Sequence, residues 1–277
     1  MPGDTAAPRR GCATITDVVS PLRSAGVRAG LLALAACVVA SCSTASPPPP
    51  APAPPTTAAT PALAGWKLTL PTANEKGTAA SVDPARLTPP YLTTDAAGAL
   101  VFWAPVQGVT TANSDHARTE LDGLTTFAAG KGWHALKATI TVNQVPKAAA
   151  DVILAQIHGA DDLSSVPFVM LHWADGELKV VVKQDRQGPA AKDYPLTSDV
   201  PLGAPFDIGM ADNGDGTMTF TANYDGDTPE ATAPVPAPFS GATVRFQAGA
   251  YQQADSTGTT AAPDDGAKVT FSALTAT

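Results

Sequence analysis

Gln247-Ala248-Gly249-Ala250-Tyr251-Gln252-Gln253 sets polar side chains on odd positions 247, 251 and 253, with a glycine at 249. Arg118-Thr119-Glu120-Leu121 and Gln156-Ile157-His158 repeat the alternation elsewhere in the chain. A β-strand sends alternate side chains to the same face of its sheet. As strands of one sheet, the three stretches would gather Arg118, Glu120, Gln156, His158, Gln247, Tyr251 and Gln253 on a single surface. Arg245, two residues before Gln247, joins that face. A guanidinium, an imidazole, a phenol and several amides together form a set suited to acid–base chemistry on a polar ligand.

Outward from these stretches, β-rich runs recur between turn signals: Lys137–Val142, Val152–His158, Phe168–Trp173, Leu178–Lys183, Met218–Tyr224, Thr243–Tyr251 and Lys268–Leu274. No long segment shows helical periodicity, and there is no internal repeat. Ala174-Asp175-Gly176-Glu177 and Asp212-Asn213-Gly214-Asp215-Gly216 read as hairpin turns, because Asp-Gly and Asn-Gly supply the positive φ that tight turns need. The second also invites comparison with a calcium loop. Aligned on Gly216, however, it puts Ala211 and Ala222 where carboxylates are required. The pattern predicts an all-β domain, a β-sandwich or jelly roll, over residues 63–277.

The first 42 residues read as a signal peptide. Arg23 and Arg28 precede an apolar run from Leu31 to Ala40, and Val39-Ala40-Ser41-Cys42 follows the order of a bacterial lipobox, which makes Cys42 the expected lipidation site. Ten apolar residues fall short of the roughly 20 that span a bilayer. Residues 43–62, rich in Pro, Ala and Thr, are expected to form an extended linker. These features predict an extracytoplasmic protein, lipid-anchored to a bacterial membrane or secreted, that meets the membrane only through its anchor. All three cysteines precede the linker, which leaves the domain no disulfide or thiolate metal site. No metal or other cofactor is expected, and the domain is expected to be a monomer.

Residues 63–277 hold 13 of the 17 basic and 23 of the 25 acidic side chains, a net of −10, since Arg9, Arg10, Arg23, Arg28, Asp4 and Asp17 all precede them. That balance argues against nucleic acid as a partner. A polyanionic substrate would require a locally basic groove.

The order and wording of the three stretches resemble the alginate lyases of polysaccharide lyase family 7, whose blocks read R-[ST]-E-L-R, Q-[IV]-H and Y-F-K-A-G-x-Y-x-Q. Gly65-Trp66-Lys67-Leu68-Thr69-Leu70-Pro71 is similar to that family's opening strand, and Leu100-Val101-Phe102-Trp103-Ala104-Pro105-Val106 continues the likeness. The resemblance implies a jelly-roll β-sandwich of two antiparallel sheets, concanavalin A-like, and β-elimination on an anionic polysaccharide, alginate or a related polyuronate, leaving a 4,5-unsaturated end. A base takes the C5 proton, an acid protonates the departing O4, and preorganised donors stabilise the charge that builds on the carboxylate. By resemblance, Arg118 and Gln156 neutralise the carboxylate. His158, whose side chain has a reference pKa of about 6.5, is the base for one C5 configuration, and Tyr251 is the acid, serving both steps for the other. Glu120, Arg245, Gln247 and Gln253 are the expected substrate-binding residues, Glu120 chiefly by holding Arg118. His116, His134 and His172 have no supporting pattern and read as structural histidines.

Two positions depart from the family pattern. Asp122 stands for the last arginine of the first block and Gln247 for the lysine of the third, and both changes remove positive charge. Arg245, on the same face as Gln247, is expected to compensate. Two other readings remain open at this point. One is a non-catalytic carbohydrate-binding lipoprotein on the same sandwich. The other is a sandwich glycoside hydrolase, since Glu120-Leu121-Asp122 matches the start of E-x-D-x-x-E, although Thr125 occupies the place of its third carboxylate.

Overall fold

The computed structural model describes residues 60–257 and 260–277. The expected signal peptide, Cys42 and nearly all of the 43–62 linker lie outside the described residues. Within them the chain forms sixteen strands, numbered in chain order, and three short 3₁₀ turns.

One sheet runs in the order β11 (Ala191–Thr197), β10 (Glu177–Lys183), β9 (Pro167–Ala174), β8 (Asp151–Gly159), β15 (Thr243–Gln252), β5 (Arg118–Gly123), β1 (Trp66–Ala73) and β2 (Ala79–Val82), with β6 (Phe127–Ala128) also paired to β15. The other runs β14 (Glu230–Pro234), β13 (Thr217–Asn223), β12 (Pro205–Asp212), β7 (His134–Gln144), β16 (Gly266–Ala276), β4 (Leu100–Pro105) and β3 (Leu92–Thr94). Every pairing is antiparallel. This is the jelly-roll sandwich that the sequence predicts.

Alternation explains why the sheets pack. On β4, Leu100, Phe102 and Ala104 point inward, and on β7, Leu136, Ala138, Ile140 and Val142 do the same. These meet Leu68, Leu121, Leu154, Ile157 and Phe246 of the first sheet in one continuous core. Phe102 and Phe271 meet edge to face at 5.2 Å, while Phe168 and Phe239 stack at 4.3 Å. Such pairs fix ring positions as well as burying area.

The expected hairpin turns lie between β9 and β10 and between β12 and β13. Asp175 and Gly176 have φ of 48° and 90°. Asp212 is buried, its carboxylate accepting from the backbone N–H of Gly130 at 2.6 Å and of Gly214 at 3.0 Å. It serves as a turn clamp, with both oxygens committed to backbone. β12 does not stand out in the sequence, because Pro205, Asp207 and Gly209 lower its strand propensity. Burial of Phe206, Ile208 and Met210 overrides that preference. The edge strands β3, β11 and β14 are likewise set by pairing more than by composition.

Candidate active site

Register assembles the polar face. On β15, Arg245 lies opposite His158, and Gln247 opposite Gln156 of β8. On its other side, β15 sets Gln247 against Asp122 and Tyr251 against Arg118 of β5. Asp122 in turn faces Lys67 of β1. Four strands thus bring together residues more than a hundred positions apart in the chain.

A bulge adjusts this register. Between Ala248 and Tyr251, β15 spends one more residue than β8 does between Ala155 and Ile153. Gly249 makes this possible, with φ of 155°. A Cβ there would sit 2.5 Å from the Thr119 carbonyl oxygen and 2.8 Å from Glu120 Cα, both backbone atoms, so no larger residue fits.

A hydrogen-bonded chain runs through the site. Arg118 Nη1 donates to Glu120 Oε2 at 3.1 Å, and Gln156 Nε2 donates both to Glu120 Oε1 at 2.7 Å and to Gln247 Oε1 at 3.0 Å. Gln247 Nε2 donates to Asp122 Oδ1, and Asp122 Oδ2 accepts from Thr69 Oγ1 at 2.6 Å. Arg245 Nη2 stands 3.8 Å from Asp122 Oδ1. The two positions that depart from the family pattern, Asp122 and Gln247, are therefore bonded to each other.

Two expectations change here. Glu120 is 0 % exposed and lies beneath Arg118 and Gln156, so it keeps the expected part of holding Arg118 and is corrected only as a substrate-binding residue. Burial pushes its carboxyl pKa up, an effect opposed by the neighbouring Arg118 charge. The expected amide donor of Gln156 is also corrected, because both its donor contacts go to protein oxygens and the atom left without a partner is its acceptor, Oε1. Turning the amide over would set Oε1 against the Glu120 carboxylate. The Glu120 position also weakens the hydrolase reading, which needs that carboxylate beside a glycosidic bond.

Tyr251 is held from two directions. The Arg118 guanidinium lies 3.5 Å from the centroid of its ring, and its hydroxyl is 2.8 Å from Ser114 Oγ. Ser114 also accepts from the His116 backbone N–H at 3.1 Å, and His116 Nδ1 bonds the Ala254 carbonyl at 2.9 Å. The His116 ring stands 6.3 Å from that of Tyr251. Ser114 and His116 were not among the expected site residues, although the alternation of Arg118 and Glu120 extends back through both. His134 instead stacks on Phe127 at 4.3 Å and His172 pairs with Asp151 at 3.0 Å.

His158 is 8 % exposed, and its Nδ1 lies 3.0 Å from the Gly159 carbonyl oxygen. A carbonyl can only accept, so the proton sits on Nδ1 and Nε2 carries the free lone pair. Its pKa is lowered to about 4, first by burial, with the charges of Arg118 and Arg245 adding to the effect. The ring is neutral throughout the physiological range.

Arg118, Asp122, Gln156, His158, Arg245, Gln247 and Tyr251 line a groove of about 430 Å³ that also includes Lys67, Asn113 and Gln253. Gln253 Nε2 donates to the Tyr251 carbonyl at 3.1 Å. Lys67, Arg118 and Arg245 outnumber Asp122 among the charged lining residues, which makes the groove locally basic on a domain of net negative charge. Lys67 is a further residue not expected at the site. Three buried side-chain atoms lack any partner among the described residues: Arg118 Nε, Gln156 Oε1 and Arg245 Nε. All three belong to this groove. Among the described residues no cluster of His, Cys, Asp or Glu is arranged to hold a metal.

A family model for alginate lyase matches residues 62–277. The chain belongs to the alginate lyase family. The lyase is similar in structure to alginate lyase A1-II′, a member of polysaccharide lyase family 7, with 28% identity and a TM-score of 0.66 over 78% of this chain and 95% of that one. It shares its fold with alginate lyase PA1167 from Pseudomonas aeruginosa, at 24% identity and a TM-score of 0.69 over 78% of this chain and 99% of that one. The alginate lyase from Corynebacterium sp. has the same fold, at 23% identity and a TM-score of 0.62 over 78% and 94% of the two chains. No curated protein sequence matches. The lyase is accordingly a polysaccharide lyase, built on the two-sheet sandwich described above.

Proposed function

We propose that this groove cleaves a uronic-acid-containing polymer, alginate or a related polyuronate, by β-elimination. The observation that carries the reading is the placement of all three partnerless buried atoms in one groove beside His158 and Tyr251. A buried polar atom without a partner costs about 1–3 kcal/mol, and native proteins keep few of them. Two orphaned guanidinium N–H groups call for an oxygen-rich, anionic ligand, and one orphaned amide oxygen calls for a hydroxyl. A polyuronate supplies both. Family 7 alginate lyase A1-II′ has been solved in complex with product (GGG) and with substrate (GGMG).

In this scheme Arg118 takes the carboxylate of the reacting sugar with the part of its guanidinium that lines the groove, with Glu120 fixing it from behind. His158 Nε2 accepts the C5 proton, the C4–O4 bond breaks as the C4–C5 double bond forms, and the Tyr251 hydroxyl delivers a proton to the departing O4. For the opposite C5 configuration, Tyr251 serves both steps. Gln156 Oε1 receives a sugar hydroxyl, and Arg245, Gln247 and Gln253 border the neighbouring subsites. No step calls for a metal or another cofactor.

The test is a screen of the purified protein on alginate, poly-mannuronate, poly-guluronate and glucuronan, followed through the ultraviolet absorbance of the unsaturated end. Growth of that absorbance on at least one polymer is the expected result. Reducing ends without it would point to hydrolysis, and binding without turnover would point to a non-catalytic carbohydrate-binding protein. We also propose that the protein acts outside the cytoplasm as a monomer, held to a bacterial membrane by lipid on Cys42. The support for the anchor is the Val39-Ala40-Ser41-Cys42 sequence and the linker behind it.

A further inference from the structure

Asp122 is surrounded the way a bound carboxylate would be. One oxygen accepts from the Thr69 hydroxyl at 2.6 Å, and the other accepts from the Gln247 amide and faces Arg245 Nη2 at 3.8 Å. Lys67 is its cross-strand partner on the far side. A guanidinium, an amide, a hydroxyl and an ammonium lining a sugar groove would ordinarily receive a carboxylate from the ligand. Here the protein's own side chain fills that place.

We propose that Asp122 acts as an internal stand-in for a substrate carboxylate, so that the subsite beside the reaction centre takes an uncharged sugar. The preferred substrate is then a polymer in which uronate residues are separated by neutral ones. This inference rests on the proposed elimination at Arg118, His158 and Tyr251, and it concerns only the neighbouring sugar.

Electrostatics supports it twice. A second uronate entering this subsite would meet the Asp122 carboxylate and compete with it for Arg245, a like-charge juxtaposition that interfaces use to reject wrong partners. A neutral sugar meets no such penalty, and its hydroxyls can donate to the partly accessible Asp122 carboxylate. At longer range, a domain of net charge −10 repels a polymer charged at every residue more than one charged at every second residue.

The experiment compares kcat/KM of the full-length protein on a homopolymeric uronate and on a polymer alternating uronate with a neutral hexose, at low salt. Wild type is expected to favour the alternating polymer by roughly tenfold or more, about one decade being the scale of a single lost contact. Asp122→Asn keeps the shape and removes the charge, and it should shift the preference toward the homopolymer, mainly by lowering KM for it. A wild type that prefers the homopolymer overturns the inference while leaving the elimination intact, as does an Asp122→Asn protein with unchanged preference. Absence of unsaturated product from both polymers overturns the proposed elimination and this inference with it.

Discussion

The guanidinium of Arg118 lies over the ring of Tyr251, 3.5 Å from its centroid, and the two residues are direct cross-strand partners on β5 and β15. In the proposed scheme, the group that would hold the substrate carboxylate and the group that would protonate the leaving oxygen are thereby fixed against each other. Lysine in place of Arg118 keeps the charge and loses both the stacked plane and the fork. Arg118→Lys should lower kcat by about 10² to 10³, the usual worth of a preorganised donor, with little change in Tm. Near-normal kcat would remove Arg118 from the reaction centre.

Tyr251→Phe deletes only the hydroxyl. It should leave folding intact and cost about 10² to 10⁴ in rate, as expected for a positioned acid or base. Ser114→Ala removes the hydroxyl that orients it and should cost less, about fivefold, in line with one neutral hydrogen bond of about 1 kcal/mol. Steady-state rates of both variants on each cleaved polymer provide the check. A Ser114→Ala loss as large as that of Tyr251→Phe would give Ser114 a direct part in proton transfer.

The lowered pKa of His158 makes two pH predictions. The acid limb of kcat/KM, on polymers that use the histidine as base, should fall near pH 4 and not near the free imidazole value. The same shift affects stability. Between about pH 6.5 and 4 the unfolded chain binds a proton that the folded one does not, so the contribution is complete above 6.5 and is lost as pH falls through about 4. Its size is on the order of 3 kcal/mol at most. Glu120 runs the other way, because its raised pKa returns stability on acidification. Urea unfolding of wild type and His158→Gln at neutral pH and near pH 4.5 isolates the histidine component, which should be missing from the variant. Parallel pH profiles for the two proteins would contradict it.

Cys42→Ser should move the protein from the membrane to the soluble fraction, or leave it unprocessed, since acyl chains on that residue would provide the anchoring energy. Detergent phase partitioning of the two proteins is the measurement. Equal partitioning would rule out a lipid on Cys42.

The period of two in three short stretches was enough to read that Arg118, Gln156, His158, Gln247 and Tyr251 share a face, because strand geometry leaves alternate side chains no other choice. What alternation leaves open is depth. Glu120 and Arg118 have the same phase, yet one is sealed beneath the other, and only the packing of β5 between β15 and β1 decides which reaches the groove. Lys67 was hidden for a related reason: its strand carries core residues on one face, and its groove-facing role depends on pairing with Asp122. Ser114 lies before β5 and contacts Tyr251 across 137 positions of chain, a contact created by tertiary folding. The fold itself was more legible than the site, and β12 shows where it was not, since its Pro, Asp and Gly conceal a strand that burial stabilises.

Arg245 and Asp122 offer the sharpest test of the subsite, because their charges are 3.8 Å apart and cannot act independently. In wild type, Arg245 is partly occupied by Asp122, so Arg245→Ala should raise KM on a homopolymeric uronate only about two- to threefold, more than it lowers kcat, as when uniform binding is lost. Added salt should shrink that penalty. In an Asp122→Asn background the guanidinium is released and becomes the natural receptor for a second substrate carboxylate. There Arg245→Ala should cost roughly tenfold in KM, giving a coupling between the two sites of about 1 kcal/mol, within the range seen for interacting pairs. The four proteins of this cycle, assayed at low and high salt, decide the matter. An Arg245→Ala penalty of equal size in both backgrounds would mean that Asp122 does not hold the place of a substrate carboxylate.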